Sequence, residues 1–216
     1  SYQDLLHRSR ILHQNLACLG LRPGDRVAIM MPNCFQHPIS LFATLLLGGI
    51  GVNINPLYTV KECHHQLKDS GAKAIIVLKN MAHIVEKARI NTEIEHVIIT
   101  EMGDEFPTLK RLFINFMIKT IKKMIPPFNT EHHPYRSLKK PCNWTLEPHQ
   151  ASLEDIALLQ YTGGTTGPSK GAMLTHKNLL SNMQQAEHLL PNNLYQSTES
   201  NILTALPLYH IFASTV

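Results

Sequence analysis

Apolar positions along this chain follow two rhythms that alternate. Leu5, Leu12, Leu16 and Leu19 fall at helical spacing, so the stretch from Ser1 to Gly20 predicts a helix, with Ser1 and Asp4 placed for reciprocal capping. The turn Arg22-Pro23-Gly24-Asp25 leads into Arg26 to Met31, an unbroken apolar run that predicts a short buried strand. Helical spacing returns from Phe35 to Leu47, then Gly48-Gly49 precede a second strand at Gly51 to Asn55. The same alternation predicts a helix at Val60 to Ser70 stopped by Gly71, a strand at Lys73 to Leu78, a helix at Asn80 to Arg89 and a strand at His96 to Thr100. Strands that alternate with helices and run apolar without a polar face predict an α/β fold. Its mostly parallel sheet is covered by helices.

The rhythm breaks from Pro126 to Leu153, which is polar and holds Pro126, Pro127, Pro134, Pro141 and Pro148. This reads as a long surface connection, with Tyr135 and Trp144 available for packing. Order resumes with a strand at Asp155 to Tyr161, a glycine-rich loop, a return strand at Gly171 to Thr175, a helix at His176 to Leu189 and a strand at Asn201 to Leu206. The chain thus divides into a first α/β portion (1–125), a connection (126–153) and a loop-bearing portion (154–216).

Composition narrows the class. The chain has 216 residues, 44% hydrophobic and 17% charged, enough to bury a core and unlike a disordered or disulfide-stapled chain. No Asp, Glu, Lys or Arg lies between Arg26 and Lys61, yet its cleanest apolar part, Ile39 to Val52, is shorter than the roughly 20 residues a membrane span needs. Cys18, Cys34, Cys63 and Cys142 show no CxxC spacing, which fits reduced thiols. His64-His65 and His132-His133 lack partners at metal-ligand spacing. Residues from Ser1 to Arg8 do not resemble a signal peptide, so the expected location is cytoplasmic.

Net charge is +4, too weak to argue for nucleic acid, and it is unevenly placed. Residues 106–128 hold Lys110, Arg111, Lys119, Lys122 and Lys123 and no acid, so the rest of the chain sums to −1. In the same segment Leu109, Leu112, Phe113, Phe116, Met117, Ile121, Met124 and Ile125 recur at helical steps and predict a helix about 25 Å long. A helix of this kind lies peripherally on an anionic membrane face, packs on its own domain, or packs on a second copy in a homo-oligomer.

The chemistry concentrates in Tyr161-Thr162-Gly163-Gly164-Thr165-Thr166-Gly167-Pro168-Ser169-Lys170-Gly171. Four glycines leave backbone N–H groups open to a bulky anion, three threonines add hydroxyl donors, and Lys170 adds a charge that reaches polyphosphate. The loop is not a Walker A motif, because Ser169 precedes Lys170 and Gly171 follows it. The apolar run after it predicts a strand, so the loop joins two strands.

Thr162 to Gly171 resembles the phosphate-binding signature of the adenylate-forming enzymes, which include acyl-CoA synthetases, peptide-synthetase adenylation domains and firefly luciferase. The family pattern has any residue followed by Pro where this chain has Pro168-Ser169. Pro23 to Ala28, Val52 to Tyr58 and Ala205 to Phe212 resemble three further segments of that family, and the wording NPLYT, QYTGGTT, KGAMLTH and ALPLYHIFA resembles its bacterial long-chain fatty acid–CoA ligases. The resemblance implies activation of a long-chain fatty acid by ATP and Mg2+ through an acyl-adenylate, then transfer to coenzyme A. It also implies that the chain is the front part of a large N-terminal AMP-binding domain, incompetent alone, with the small C-terminal domain absent. On the same footing, Thr162, Gly163, Gly164, Thr165, Thr166, Gly167 and Lys170 hold phosphates, Thr162 lies near Mg2+, and Tyr209 and His210 meet the acyl carboxylate. His210 and Lys170 are the catalytic candidates. A fatty acyl-AMP ligase, a medium-chain ligase and a non-catalytic nucleotide-binding protein remain alternatives.

Overall fold

The computed structural model describes residues 1–142, 146–162, 168–189 and 206–210. Seven strands form one sheet in the order β5-β4-β3-β1-β2-β6-β7. They are β1 (Arg26–Met30), β2 (Ile50–Ile54), β3 (Ala74–Leu78), β4 (His96–Thr100), β5 (His133–Pro134), β6 (Ile156–Thr162) and β7 (Lys170–Thr175). All neighbours run parallel except the β6–β7 pair, which is antiparallel. The predicted α/β class is observed, with strand bounds within a residue or two of the apolar runs.

Helices α1 (Tyr2–Cys18), α2 (Gln36–Leu46), α3 (Val60–Ser70) and α4 (Ala82–Ala88) cover the sheet. Alternation along the strands splits the core in two. Val27, Ile29, Ile76, Ile98 and Leu158 pack with Leu12, Leu16 and Leu47 on the α1/α2 face. Ala28, Met30, Ile75, Val77 and Val52 pack with Cys63, Leu67 and Val85 on the α3/α4 face. The ends of α1 and α3 are set locally. Ser1 and Asp4 form the expected capping box, Thr59 and Glu62 form another, and Gly71 caps α3 in the left-handed conformation. All four cysteines are free thiols.

Three expectations are corrected. In the 126–153 segment the expected packing of Tyr135 is observed, but the segment is more than a connection: His133 and Pro134 pair with Ile98 and Ile99, and Leu138 is buried with Tyr135 against α1 and the sheet. Apolar anchors inside a proline-rich stretch hold it down where periodicity gives no sign. The helix expected at 80–89 opens as a 3-10 turn (Lys79–Met81) before α4. The basic helix is shorter than its pattern: α5 (Thr108–Phe116) relaxes into a π-helical turn (Met117–Ile121), and Lys123 turns the chain with φ 47° ahead of Pro126. Trp144, the Gly163–Gly167 stretch and most of the predicted strand Asn201 to Leu206 lie outside the described residues.

Candidate functional site

Chain topology locates the site. The chain leaves β1 through α2 on one face of the sheet and leaves β2 through α3 on the other, so the C-terminal ends of β1 and β2 flank a topological switch point. Open α/β sheets bind ligands in the crevice at such a point. Three stretches singled out in the sequence converge there.

Asn33, just beyond β1, reaches the 206–210 segment with both ends of its amide. Its Nδ2 donates to the Leu206 carbonyl at 2.8 Å, and the Leu208 N–H donates to its Oδ1 at 2.8 Å. Gln160 on β6 donates from Nε2 to the Tyr209 carbonyl at 3.3 Å. The phenol of Tyr58, beyond β2, is pushed up by partial burial, with Glu62 and Tyr209 adding to the shift. Tyr209 is half-buried and His210 is exposed, so both remain open to a ligand.

The β6–β7 hairpin that carries the glycine-rich stretch leaves the same edge. The β6–β7 register sets Thr162 directly opposite Lys170, with both side chains exposed. The expected strand–loop–strand arrangement is therefore present. Two tethers run from α3 to the hairpin. His65 Nε2 donates to the Ser169 carbonyl at 2.8 Å, and the Tyr161 hydroxyl donates to Asp69 Oδ2 at 2.6 Å. Burial, reinforced by Asp69, pushes the Tyr161 phenol well above its ordinary range. Gly171 lies under that ring: a Cβ there would sit 3.0 Å from Tyr161 Cζ. A larger residue would push the ring off Asp69 and disturb the neighbouring Thr162–Lys170 pair.

Beside Gln160, and opposite it in register, lies Asn53, 3% exposed. Neither amide atom of Asn53 has a hydrogen-bond partner among the described residues, and Gln160 Oε1 has none either. Unmet amide capacity next to the Tyr209 segment costs about 1–3 kcal/mol per group unless water or a polar guest meets it.

Of the residues singled out in the sequence, Thr162 and Lys170 lie opposite each other on the β6–β7 pair, and Tyr209 and His210 lie in the segment that Gln160 contacts. The sequence pattern missed Asn33, Asn53, His65, Asp69 and Gln160. The signal available for Asn33 and Asn53 was their position, as polar residues at the ends of buried strands in a charge-free stretch. Nothing local marked His65 or Asp69. Gly163, Gly164, Thr165, Thr166 and Gly167 lie outside the described residues.

The Thr162–Lys170 pair suits an anion, with a hydroxyl and an ammonium presented together. Among the described residues no cluster of three or more His, Cys, Asp or Glu could hold a metal.

A seven-stranded, mostly parallel sheet covered by helices, with the antiparallel β6–β7 pair at one margin, is the architecture of the N-terminal domains of AMP-binding enzymes. The model of the AMP-binding enzyme family matches residues 1–216, and the chain belongs to that family. It is 47% identical to the long-chain-fatty-acid–CoA ligase of Salmonella typhimurium over 219 residues, covering all of this chain and 39% of that protein. It is 34% identical to the enzyme of the same name from Bacillus subtilis, covering all of this chain and 38% of that protein. A 4-coumarate–CoA ligase of Pinus taeda is 31% identical over 95% of the chain and 33% of its own length. The chain therefore spans about two fifths of the length of the bacterial relatives it matches. An anthranilate CoA ligase solved with anthranoyl-AMP superposes with a TM-score of 0.69 at 26% identity, over 85% of this chain and 31% of that one. A long-chain-fatty-acid CoA ligase structure from Rhodopseudomonas palustris agrees in fold, with a TM-score of 0.76 at 19% identity over all of this chain and 47% of its own.

Proposed function

We propose that the protein to which this chain contributes activates a long-chain fatty acid with MgATP and transfers the acyl group to coenzyme A. The observation that carries the reading is the convergence at the switch point. Thr162 and Lys170 face each other at the mouth of the phosphate loop, while Gln160, two residues earlier, holds the Tyr209–His210 segment. One edge of the sheet thus offers a polyphosphate grip beside a place for a carboxylate.

The work asked of these residues is mainly electrostatic. Attack of a carboxylate on the α-phosphorus brings two anions together and drives out pyrophosphate. Lys170 neutralises charge on the leaving pyrophosphate, and Thr162, Thr165 and Thr166 donate to phosphate oxygens. Mg2+ bound with the nucleotide would supply further charge neutralisation, and the Thr162 hydroxyl is the side chain that would help hold it. Tyr209 and His210 orient the acyl carboxylate. His65 and Asp69 hold Ser169 and Tyr161, which fixes the ends of the two strands that carry Thr162 and Lys170. The chain contributes the front part of the N-terminal domain, and turnover requires the remainder of the longer protein. The enzyme works at the cytoplasmic membrane face, where its substrate partitions, and 106–128 is the contact segment.

ATP–pyrophosphate exchange by the full-length protein, over a ladder of fatty acids, tests this. Exchange that peaks with long acyl chains, needs Mg2+ and falls at least about tenfold in Lys170→Ala supports the reading. Exchange without thioester formation would make the protein a fatty acyl-AMP ligase. Nucleotide binding without exchange would make it a non-catalytic binder.

A further inference from the structure

We propose that Asn53 is a positioning residue for the Tyr209–His210 segment, acting by holding the amide of Gln160 in the orientation that grips it. The inference deepens the ligase reading and rests on it for its purpose, while its geometry stands apart from it.

The two amides are neighbours in a row that is otherwise apolar. At this level of the sheet the positions in register run Ile76, Ile29, Asn53, Gln160 and Ala172 across β3, β1, β2, β6 and β7. Asn53 therefore has an isoleucine on one side and Gln160 on the other. The row before it, Val27, Gly51 and Leu158, carries no polar side chain at all.

Helix α2 closes this pair from solvent. A Cβ on Gly49 would lie 3.2 Å from Thr44 Cγ2, and one on Gly51 would lie 3.0 Å from Leu41 Cδ1. The helix thus descends as the strand rises, tight against two glycines. One more turn back along α2 and two residues on along β2 each cover about 6 Å, so the first turn of α2 lies over Asn53. Asn53 is 3% exposed and Gln160 7%.

Hydrogen-bond chemistry divides the tasks. A carbonyl oxygen only accepts, so Gln160 must offer Nε2 to the Tyr209 carbonyl, as it does at 3.3 Å. That leaves Oε1 as a buried acceptor without a partner among the described residues. The Nδ2 of Asn53, in the next position of the row, is a buried donor without one. If the Gln160 amide turned over, Oε1 would face the Tyr209 carbonyl, acceptor against acceptor, and the grip would be lost. Donation from Asn53 Nδ2 to Gln160 Oε1 forbids that turn. The Tyr209 contact is long for an N–H···O bond, and contacts of this kind tighten when a site is loaded. The two amides pair as the segment takes up its ligand.

A purely structural role makes the opposite forecast. An apolar side chain of similar size at 53 removes unmet polar groups from the core, so on packing alone the protein should be no less stable and no less active.

Asn53→Val and Asn53→Thr in the full-length protein test this, because the two side chains share a shape and only threonine carries a donor. Deuterium uptake is followed over 206–210, where the Leu208 and His210 N–H groups are hydrogen-bonded, with β1 as the reference. In N53V uptake at 206–210 should quicken about tenfold, as in Q160M, while N53T stays within about threefold of wild type. Uptake in β1 and the melting temperature should be the same in both variants. ATP–pyrophosphate exchange should follow the same order. N53V should lose about tenfold in kcat with KM for ATP unchanged, and N53V/Q160M should be no slower than Q160M alone. Equal behaviour of N53V and N53T, or losses that add in the double variant, overturns the proposal. So does faster uptake in β1 with a lower melting temperature in N53V alone, which marks Asn53 as a packing residue. If the wild type exchanges pyrophosphate with no fatty acid but the deuterium order holds, the ligase reading fails and the positioning role stands. If exchange is present and N53V matches wild type, the positioning role alone fails.

Discussion

Acid sensitivity provides a test of the core beneath the site. His37 lies in the first turn of α2, 1% exposed, and its Nε2 has no hydrogen-bond partner among the described residues. Burial holds the imidazole down at about 4. In the unfolded chain it returns to about 6.5. Between those values the unfolded state binds a proton that the native state refuses, so stability falls as pH falls. Above pH 7 both states are neutral and the residue contributes no pH dependence. The full difference is about 3 kcal/mol, lost between pH 6.5 and 4, and about 2 kcal/mol of it is lost between pH 7 and 5. That is a large share of the 5–15 kcal/mol that typically holds a domain together. His37→Leu removes the titration and keeps the site apolar. Urea unfolding at pH 7 and pH 5 should show the wild type losing about 2 kcal/mol more than the variant on acidification. Burial also pushes His13 and His133 down and Asp104 up, but these shifts are common to both proteins and cancel in the difference. Parallel pH dependences in the two proteins would refute the assignment of the slope to His37.

Two further outcomes are expected. Glu105, with its side chain 1% exposed, is held between Arg8 and Lys139, both of which reach solvent. Glu105→Ala should cost about 2–3 kcal/mol in urea unfolding, less than a fully enclosed ion pair because the stranded cations can rehydrate. Asn33→Ala removes both hydrogen bonds that place residues 206–208. In the full-length protein it should lower kcat for adenylation about ten- to a hundredfold with little change in KM for ATP, while urea unfolding stays close to wild type.

The elements that the sequence made legible are those whose physics is local. β1 to β4 stand out as apolar runs because helices cover both faces, and α3 ends where Gly71 takes a conformation other residues resist. The Ser1–Asp4 capping box was readable in the same way, whereas the Thr59–Glu62 box passed unread. β5 was not, since two residues carry no periodicity and one of them is proline. The shortening of the basic helix was hidden because its apolar spacing continues past the point where the backbone turns at Lys123. At the site, residues whose chemistry is their own, Thr162, Lys170 and His210, could be singled out. Asn33, His65 and Gln160 act through contacts with residues 173, 104 and 49 positions away, and separations of that size leave no trace in local pattern.

The two margins of the sheet are unlike. On one side β5 is two residues long and ends in Pro134, which has no N–H to offer, so that rim is sealed against strand addition. On the other, β7 runs six residues, pairs with β6 through one irregularity between Ile156 and Leu158, and shows Met173 to solvent. Among the described residues the β7 rim is therefore the margin that still presents a run of backbone N–H and C=O groups to a further strand.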